Sequence, residues 1–249
     1  MGALHAGHYA LVVRAREQCA TVVASVFVNP LQFAQGEDFE RYPRDLASDR
    51  DTLEKAGVDV LFAPDAAAMY PNGFSTRIDP GEIGDRFEGA IRPGHFAGVA
   101  TVVVKLLELV APDRLYLGQK DAQQTAVLRR VLRDLDVPVA VEIVETAREA
   151  DGLALSSRNT YLDDAQRAAA PRLHASLLAM RAALERGLSK EEAASQARAA
   201  LDGAGTLDYV DVVDEETFSP LERLRPPAFV IGAARFGATR LVDNLWVRS

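Results

Sequence analysis

Residues 21–33 read TVVASVFVNPLQF, and this stretch decides the fold. Thr21 to Val28 is a near-continuous apolar run rich in β-branched residues, the pattern of a strand buried on both faces of a parallel sheet. Asn29 and Pro30 end it, because proline has no N–H to give to a ladder. In both directions from this run the periodicity changes. Tyr9 to Ala20 reads as a helix, and so does Asp45 to Ala56, which stops at Gly57. Val58 to Ala63 (VDVLFA) is the next buried strand. Strand, helix and strand in that order make a βαβ unit, whose crossover implies parallel pairing.

The alternation continues downstream. Phe74 to Ile78 predicts a short strand before the turn at Asp79-Pro80-Gly81, and Gly98 to Val110 (GVATVVVKLLELV), with Lys105 and Glu108 at helical spacing, predicts a helix. Leu115 to Leu117 predicts a strand, Ala122 to Leu135 a helix with Arg129, Arg130 and Arg133 on its wet side, and Val139 to Glu145 a further strand. Near Asp151 the composition shifts. Asp163 to about Leu201 is helical and rich in Ala, Arg and Glu, broken at Gly187-Leu188-Ser189, where Ser189 and Glu192 are spaced for a capping box. Three strands follow, at Asp208 to Val213, Ala228 to Ala234 and Thr239 to Leu245. The expected fold class is α/β: a Rossmann-like parallel-sheet domain over residues 1–150 and a smaller α+β domain over 151–249.

Composition excludes several classes of function. No apolar run in the 249 residues is long enough to span a bilayer, and the single cysteine, Cys19, cannot form an intramolecular disulfide. Lys and Arg number 28 against 36 Asp and Glu, a net charge of -8 that repels nucleic acid but leaves room for a small anionic ligand in a locally basic pocket. The expectation is a cytoplasmic protein with small-molecule partners, no nucleic acid and no membrane.

In open parallel sheets ligands sit beyond the carboxyl ends of the strands, so the loops there carry the chemistry. The opening MGALHAGH sets His5 and His8 three apart near a helix N-terminus, where backbone N–H groups and imidazoles favour phosphate. Taken alone the pair reads equally well as two solvent histidines on a frayed end. Asn29 and Gln32 follow a strand and offer amides to hydroxyls or a carboxylate. Glu88, Arg92 and His95 crowd one Gly/Pro-punctuated loop. Lys120 and Asp121 stand between a strand and a helix, with Gln124 one turn further on, and Ser156, Ser157 and Arg158 lie at the domain junction. No Walker or dinucleotide-binding glycine pattern is present.

These stretches, MGALHAGH (1–8), FVNPLQF (27–33), RYPRD (41–45), EGAIRPGHFAGV (88–99), LGQKDAQQ (117–124) and DGLALSSRN (151–159), span the chain. Together they closely resemble the pantothenate synthetase family within the nucleotidyltransferases that carry a HIGH-like motif. The resemblance implies an ATP-dependent ligase joining pantoate to β-alanine through a pantoyl adenylate, with Mg2+ and as a homodimer. It implies that Met1, His5 and His8 line the pantoate and ATP-phosphate sites, and that Gln32 and Gln124, beside Asn29, hold pantoate. By the same resemblance Gly118, Lys120 and Asp121 bind ATP, with Lys120 on phosphate and Asp121 on ribose. Ser156, Ser157 and Arg158 form a loop closing over the triphosphate, and Tyr42, Glu88 and Arg92 support the site. Charge stabilisation would fall to His5, His8, Lys120 and Arg158. An acidic pair near the magnesium is half kept, Asp49 present and Ser48 in its partner's place.

The family also carries a helix and a central strand ahead of the opening motif. The expectation is therefore a sheet lacking its first strand, and poor stability and little activity for a chain that truly begins at Met1. Two other readings stay open. A different small-molecule nucleotidyltransferase would want cations where Gln32 and Gln124 stand, and an inactive N-terminally truncated ATP-binding fragment would bind ATP without releasing AMP.

Overall fold

The computed structural model describes residues 4–33, 36, 39, 40, 42 and 44–248. Along the chain lie α1 (Ala6–Gln18), β1 (Val23–Ser25), α2 (Leu46–Lys55), β2 (Val60–Phe62), α3 (Ala66–Met69), α4 (Glu88–Ile91), α5 (His95–Val110), β3 (Arg114–Gly118), α6 (Ala122–Asp134) and β4 (Ala140–Val144). There follow α7 (Asp164–Ala169), α8 (Arg172–Glu185), α9 (Lys190–Leu201), β5 (Thr206–Asp214), β6 (Ala228–Phe236) and β7 (Thr239–Val247). The chain divides into two compact units, one of Met1–Gly118 with Gln123–Val144, the other of Gln119–Ala122 with Glu145–Ser249.

In the first unit the pairing is parallel, β1 with β2 and β3 with β4, as the crossover pattern requires. Among the described residues the strands form these two pairs and not one continuous sheet. The run Thr21 to Val28 yields only a three-residue strand, because β2 offers just Val60 to Phe62 as ladder partners, with Val26 adding one more bond to the Phe62 carbonyl. Burial on both faces, expected of such a run, is not found: Val23 is 38% and Val60 48% exposed. Phe74 to Ile78 is not a strand either. Its Ile78 N–H goes to the Thr101 hydroxyl of α5 at 2.9 Å, so no neighbouring strand receives it.

Helix α1 packs its Val12 and Ala15 against Val22 and Leu53, with Tyr116 of β3 at the edge of the same cluster. Asp45 caps α2 through the Ser48 N–H, and α5 buries Phe96, Val99, Ala100 and Val102. On α6 the buried Val127, Leu128, Val131 and Leu132 lie opposite exposed Arg129, Arg130 and Arg133, the amphipathic split read from the sequence.

The second unit is an antiparallel sheet, ordered β5-β6-β7, with α8 and α9 against one face. Leu177, Met180, Ala193, Ala197, Val212 and Val230 are fully buried there. Burying a Leu- or Val-sized side chain is worth about 1.5–3 kcal/mol, so this layer is a major source of the unit's stability. A two-residue turn joins β6 to β7, with Gly237 at φ +60° supplying the left-handed backbone a tight hairpin needs. Ser189 and Glu192 form the expected capping box at the start of α9. The unit takes in the Gln119–Ala122 turn because β7 holds it, as described below. Among the described residues no helix is long and apolar enough to cross a membrane.

Candidate active site

Met1 of the opening motif lies outside the described residues. His5 and His8 form a reciprocal cap on α1. Gly7 N–H donates to His5 Nδ1 at 3.1 Å, His5 N–H donates to His8 Nδ1 at 3.2 Å, and the two rings are 4.1 Å apart. A nitrogen that accepts carries no proton, so each neutral ring has its N–H on Nε2. The helix terminus thus carries two imidazole Nε2–H donors in addition to its own positive end. Asp49, 3% exposed, accepts the Leu4 N–H at 2.7 Å and so ties the lead into α1 to α2. Among the described residues no group of three or more His, Cys, Asp or Glu could hold a metal ion. The donors present fit a magnesium ion only where phosphate oxygens and water complete its shell, the usual arrangement for magnesium on a nucleotide.

The 3-10 turn Pro30–Gln32 carries the two amides expected after β1. Asn29 is 2% exposed. Its Nδ2 donates to Gly98 O at 3.1 Å and to Gln32 Oε1 at 3.2 Å, while its Oδ1 accepts from Leu31 N–H and from the Tyr70 hydroxyl at 2.7 Å. The bond into Gln32 Oε1 sets that amide's orientation, with its NH2 as the group left to donate elsewhere. His95 Nδ1 lies 2.8 Å from Gln32 O, and Arg92 Nη2 donates to the same carbonyl at 3.3 Å. Gly98 permits the close packing: a Cβ there would run into Leu31 O and come within 2.7 Å of Gln32 N. Burial drives the Tyr70 phenol up to about 12, only partly countered by Arg77, so it donates to Asn29 throughout the neutral range.

On α6, Gln123 and Gln124 diverge. Gln123 is 5% exposed and clamps the turn ahead of α4, donating to Ile83 O and Arg86 O and accepting the Glu88 N–H at 3.1 Å. It thereby braces Phe87, whose φ of +46° is unusual for a bulky residue. Gln124 is turned about 100° around the helix from its neighbour and is half-buried. Tyr42 sets its ring edge against Phe33 at 5.9 Å.

In the second unit, Lys120 and Asp121 lie on a short 3-10 turn, Lys120 Nζ 3.4 Å from Asp121 Oδ1. Asn244 of β7 donates through Nδ2 to both Gln119 O and Lys120 O at 2.9 Å and accepts from Gln119 Nε2 at 3.0 Å. Arg148 reaches Asp243 with both terminal nitrogens, at 2.7 and 2.8 Å, and Gly152 O at 3.1 Å. Burial pushes the Asp243 carboxyl up, but His174 and Arg148 beside it hold it below its usual value. His174 Nδ1 sits 3.3 Å from Asp243 Oδ2 yet is not aligned for a hydrogen bond, so Arg148 is the stronger partner. Ser156 caps the turn Ser157–Tyr161 by accepting the Arg158 N–H, and Asn159 Nδ2 ties that turn back to Ala154 O. Lys120, Ser156, His174 and Asp243 line a void of about 10 Å³, room for one water. A wider cleft of about 340 Å³ is lined by Gln119, Thr146, Arg148, Arg181, Asn244 and Trp246.

Within the first unit the structure joins Asn29, Gln32 and Arg92 in one hydrogen-bonded patch, with His5 and His8 paired at the head of α1. Within the second it ties the Lys120 turn to β7, and Lys120, Ser156 and Asp243 of that strand line one small void. Sequence reasoning missed Tyr70, Gln123, Arg148, Asp243 and Asn244 as supports. Only Gln123 lay beside a marked residue. Tyr70, Asp243 and Asn244 hold partners 41, 95 and 124 positions away.

Comparison with known proteins adds an independent finding. The sequence profile of a family described as Pantoate-beta-alanine ligase matches residues 1–246. A pantothenate synthetase of Thermus thermophilus is 53% identical over 250 residues, covering 99% of this chain and 91% of the relative, and one of Rhizorhabdus wittichii is 51% identical over 249, covering 99% and 88%. The crystal structure of the Thermus enzyme superposes with a TM-score of 0.95 at 53% identity, over 100% of this chain and 91% of that one. That of a pantoate-beta-alanine ligase from Francisella tularensis, complexed with beta-gamma ATP and beta-alanine, gives 0.81 at 34% identity, over 99% and 87%.

Proposed function

The chain belongs to the pantoate-beta-alanine ligase family, and from that premise we propose that it condenses pantoate with β-alanine through a pantoyl adenylate, releasing AMP and pyrophosphate. The observation that carries the proposal is the reciprocal cap of His5 and His8, which commits both Nδ1 atoms to backbone N–H groups and fixes an Nε2–H donor on each ring. A helix terminus so equipped suits the oxygens of a phosphate under attack.

The chemistry asks for positioning and charge neutralisation, not for a protein nucleophile. The pantoate carboxylate attacks the α-phosphorus of ATP, the bond to the β-phosphate oxygen breaks, and pyrophosphate leaves with the electron pair. The β-alanine amine then attacks the acyl carbon of the mixed anhydride; AMP departs and the amine loses a proton. Holding the carboxylate near the phosphorus supplies most of the rate. That role falls to Gln32, its amide oriented by Asn29, and to Gln124. Charge on the transferring group falls to His5, His8, Lys120 and Arg158. Gly118 lets backbone approach the nucleotide, Asp121 accepts from ribose, and Ser156 and Ser157 donate to phosphate. Met1 is assigned to the pantoate and ATP sites by resemblance alone. Tyr42, Glu88 and Arg92 are supports, Arg92 by holding Gln32 O.

Mg2+ enters on the ATP phosphates as part of the substrate, with Asp49 a nearby carboxylate by resemblance. The reading extends to a homodimer in the cytoplasm, which light scattering of the purified chain tests for the oligomer. The deciding experiment is AMP formation from ATP and β-alanine, with and without pantoate. Pantoate-dependent AMP with matching pantothenate supports the proposal; ATP binding with no AMP in any mixture overturns it.

A further inference from the structure

Every polar group of Asn244 is committed. Its side chain, on a residue 2% exposed, holds the carbonyls of Gln119 and Lys120 and accepts from Gln119 Nε2. Its backbone is pinned at both ends, the N–H by Asp243 Oδ1 at 2.7 Å and the carbonyl by Arg148 Nη2 at 3.1 Å. Arg148 is held in turn by the bidentate pair with Asp243, whose side chain is 3% exposed.

A rigid amide has therefore been built against the turn that carries Lys120. Two carbonyls that water or a looser contact could satisfy instead both accept from one buried NH2 group, on a strand anchored by an ion pair. A long lysine side chain finds its target only if its Cα is fixed. Catalytic groups need placement to about 0.5 Å, and a misplacement of about 1 Å can cost roughly 100-fold in rate.

We infer that Asn244 is a positioning residue for adenylate formation, acting through the backbone of Lys120, with Asp243 and Arg148 fixing Asn244 itself. The inference rests on the reading of Lys120 as a phosphate-binding residue.

The test is a double-mutant cycle on the full chain, following pyrophosphate release from ATP, pantoate and β-alanine. Asn244→Leu keeps the branched skeleton and removes every side-chain hydrogen bond; Lys120→Ala removes the group it is said to place. Asn244→Leu is expected to lower kcat by about 10- to 100-fold while the KM for β-alanine changes by less than about 3-fold. In the Lys120→Ala background, itself impaired, Asn244→Leu is expected to add less than about 3-fold, because the lysine to be placed is gone. A merely structural role would lower activity by the same factor in both backgrounds. Multiplying effects, or a folded Asn244→Leu variant with wild-type kcat, overturn the inference and leave the Lys120 assignment standing. Full activity of Lys120→Ala overturns that assignment and the inference with it. If Asn244→Leu fails to fold, Asn244→Ser enters the same cycle, and the coupling is judged by the same criterion.

Discussion

Replacing Asp243 by asparagine takes a charge from a well-enclosed ion pair of the second unit and changes shape very little. The Asp243 side chain is 3% exposed and that of Arg148 20%, and the carboxylate receives both terminal nitrogens of the guanidinium. An amide can accept at one of those positions only, and the guanidinium keeps its charge where the counter-charge has gone. Breaking a buried pair from one side costs about 3–5 kcal/mol; the partial exposure of Arg148 argues for the lower end, about 3 kcal/mol. In a chain of this length each kcal/mol moves the unfolding midpoint by about 2–4 °C, so Asp243→Asn is expected to lower Tm by roughly 6–12 °C at neutral pH. The assay is thermal or urea unfolding of wild type, Asp243→Asn, Arg148→Met and the apolar pair Asp243→Leu with Arg148→Met. The apolar pair should lie closer to wild type than the sum of the single changes, since it strands no buried charge. The sign with pH is also determined. The carboxyl is held below its ordinary value of 3.8, so its contribution is present above that value and disappears as the pH falls through the lower, folded one. The gap between wild type and Asp243→Asn should therefore close in acid. A single variant within about 0.5 kcal/mol of wild type, or an apolar pair as costly as the two single losses added, would refute the reasoning.

Other expected outcomes concern the first unit. Tyr70→Phe removes a 2.7 Å bond to Asn29 Oδ1, which keeps Leu31 N–H as a partner; at about 1 kcal/mol the KM for pantoate should rise roughly 5-fold with that for ATP unchanged, and equal changes in both would contradict the orienting role. Gly98→Ala drives a methyl into Leu31 O and Gln32 N, an overpacking cost of about 1–3 kcal/mol, and should impair pantoate binding more than ATP binding in isothermal titration. In an ultraviolet alkaline titration, Tyr70 and Tyr116, both raised to about 12 chiefly by burial, should ionise well above the ordinary value of 10. Tyr70→Phe should then remove one late ionisation. A raised phenol pKa also means that its contribution to stability, complete below the ordinary value of 10, is lost as the pH climbs towards 12.

What the sequence determined by itself is what depends on neighbours a few residues apart. Helical spacing and a cap specify α2 from Asp45, the capping box starts α9 at Ser189, and the strand-helix-strand order dictates parallel pairing of β1 with β2. The three-residue spacing of His5 and His8 likewise makes them meet on one turn. Phe74 to Ile78 shows where that logic ends: its alternation is compatible with a strand, but a strand exists only where a second one offers a ladder, and here α5 takes the Ile78 N–H instead. Only the tertiary structure decided which polar groups support the candidate site. Tyr70 meets Asn29 across 41 positions, and Asn244 meets Lys120 across 124. Contacts of that range depend on how helices and sheets pack, and local spacing carries no record of them.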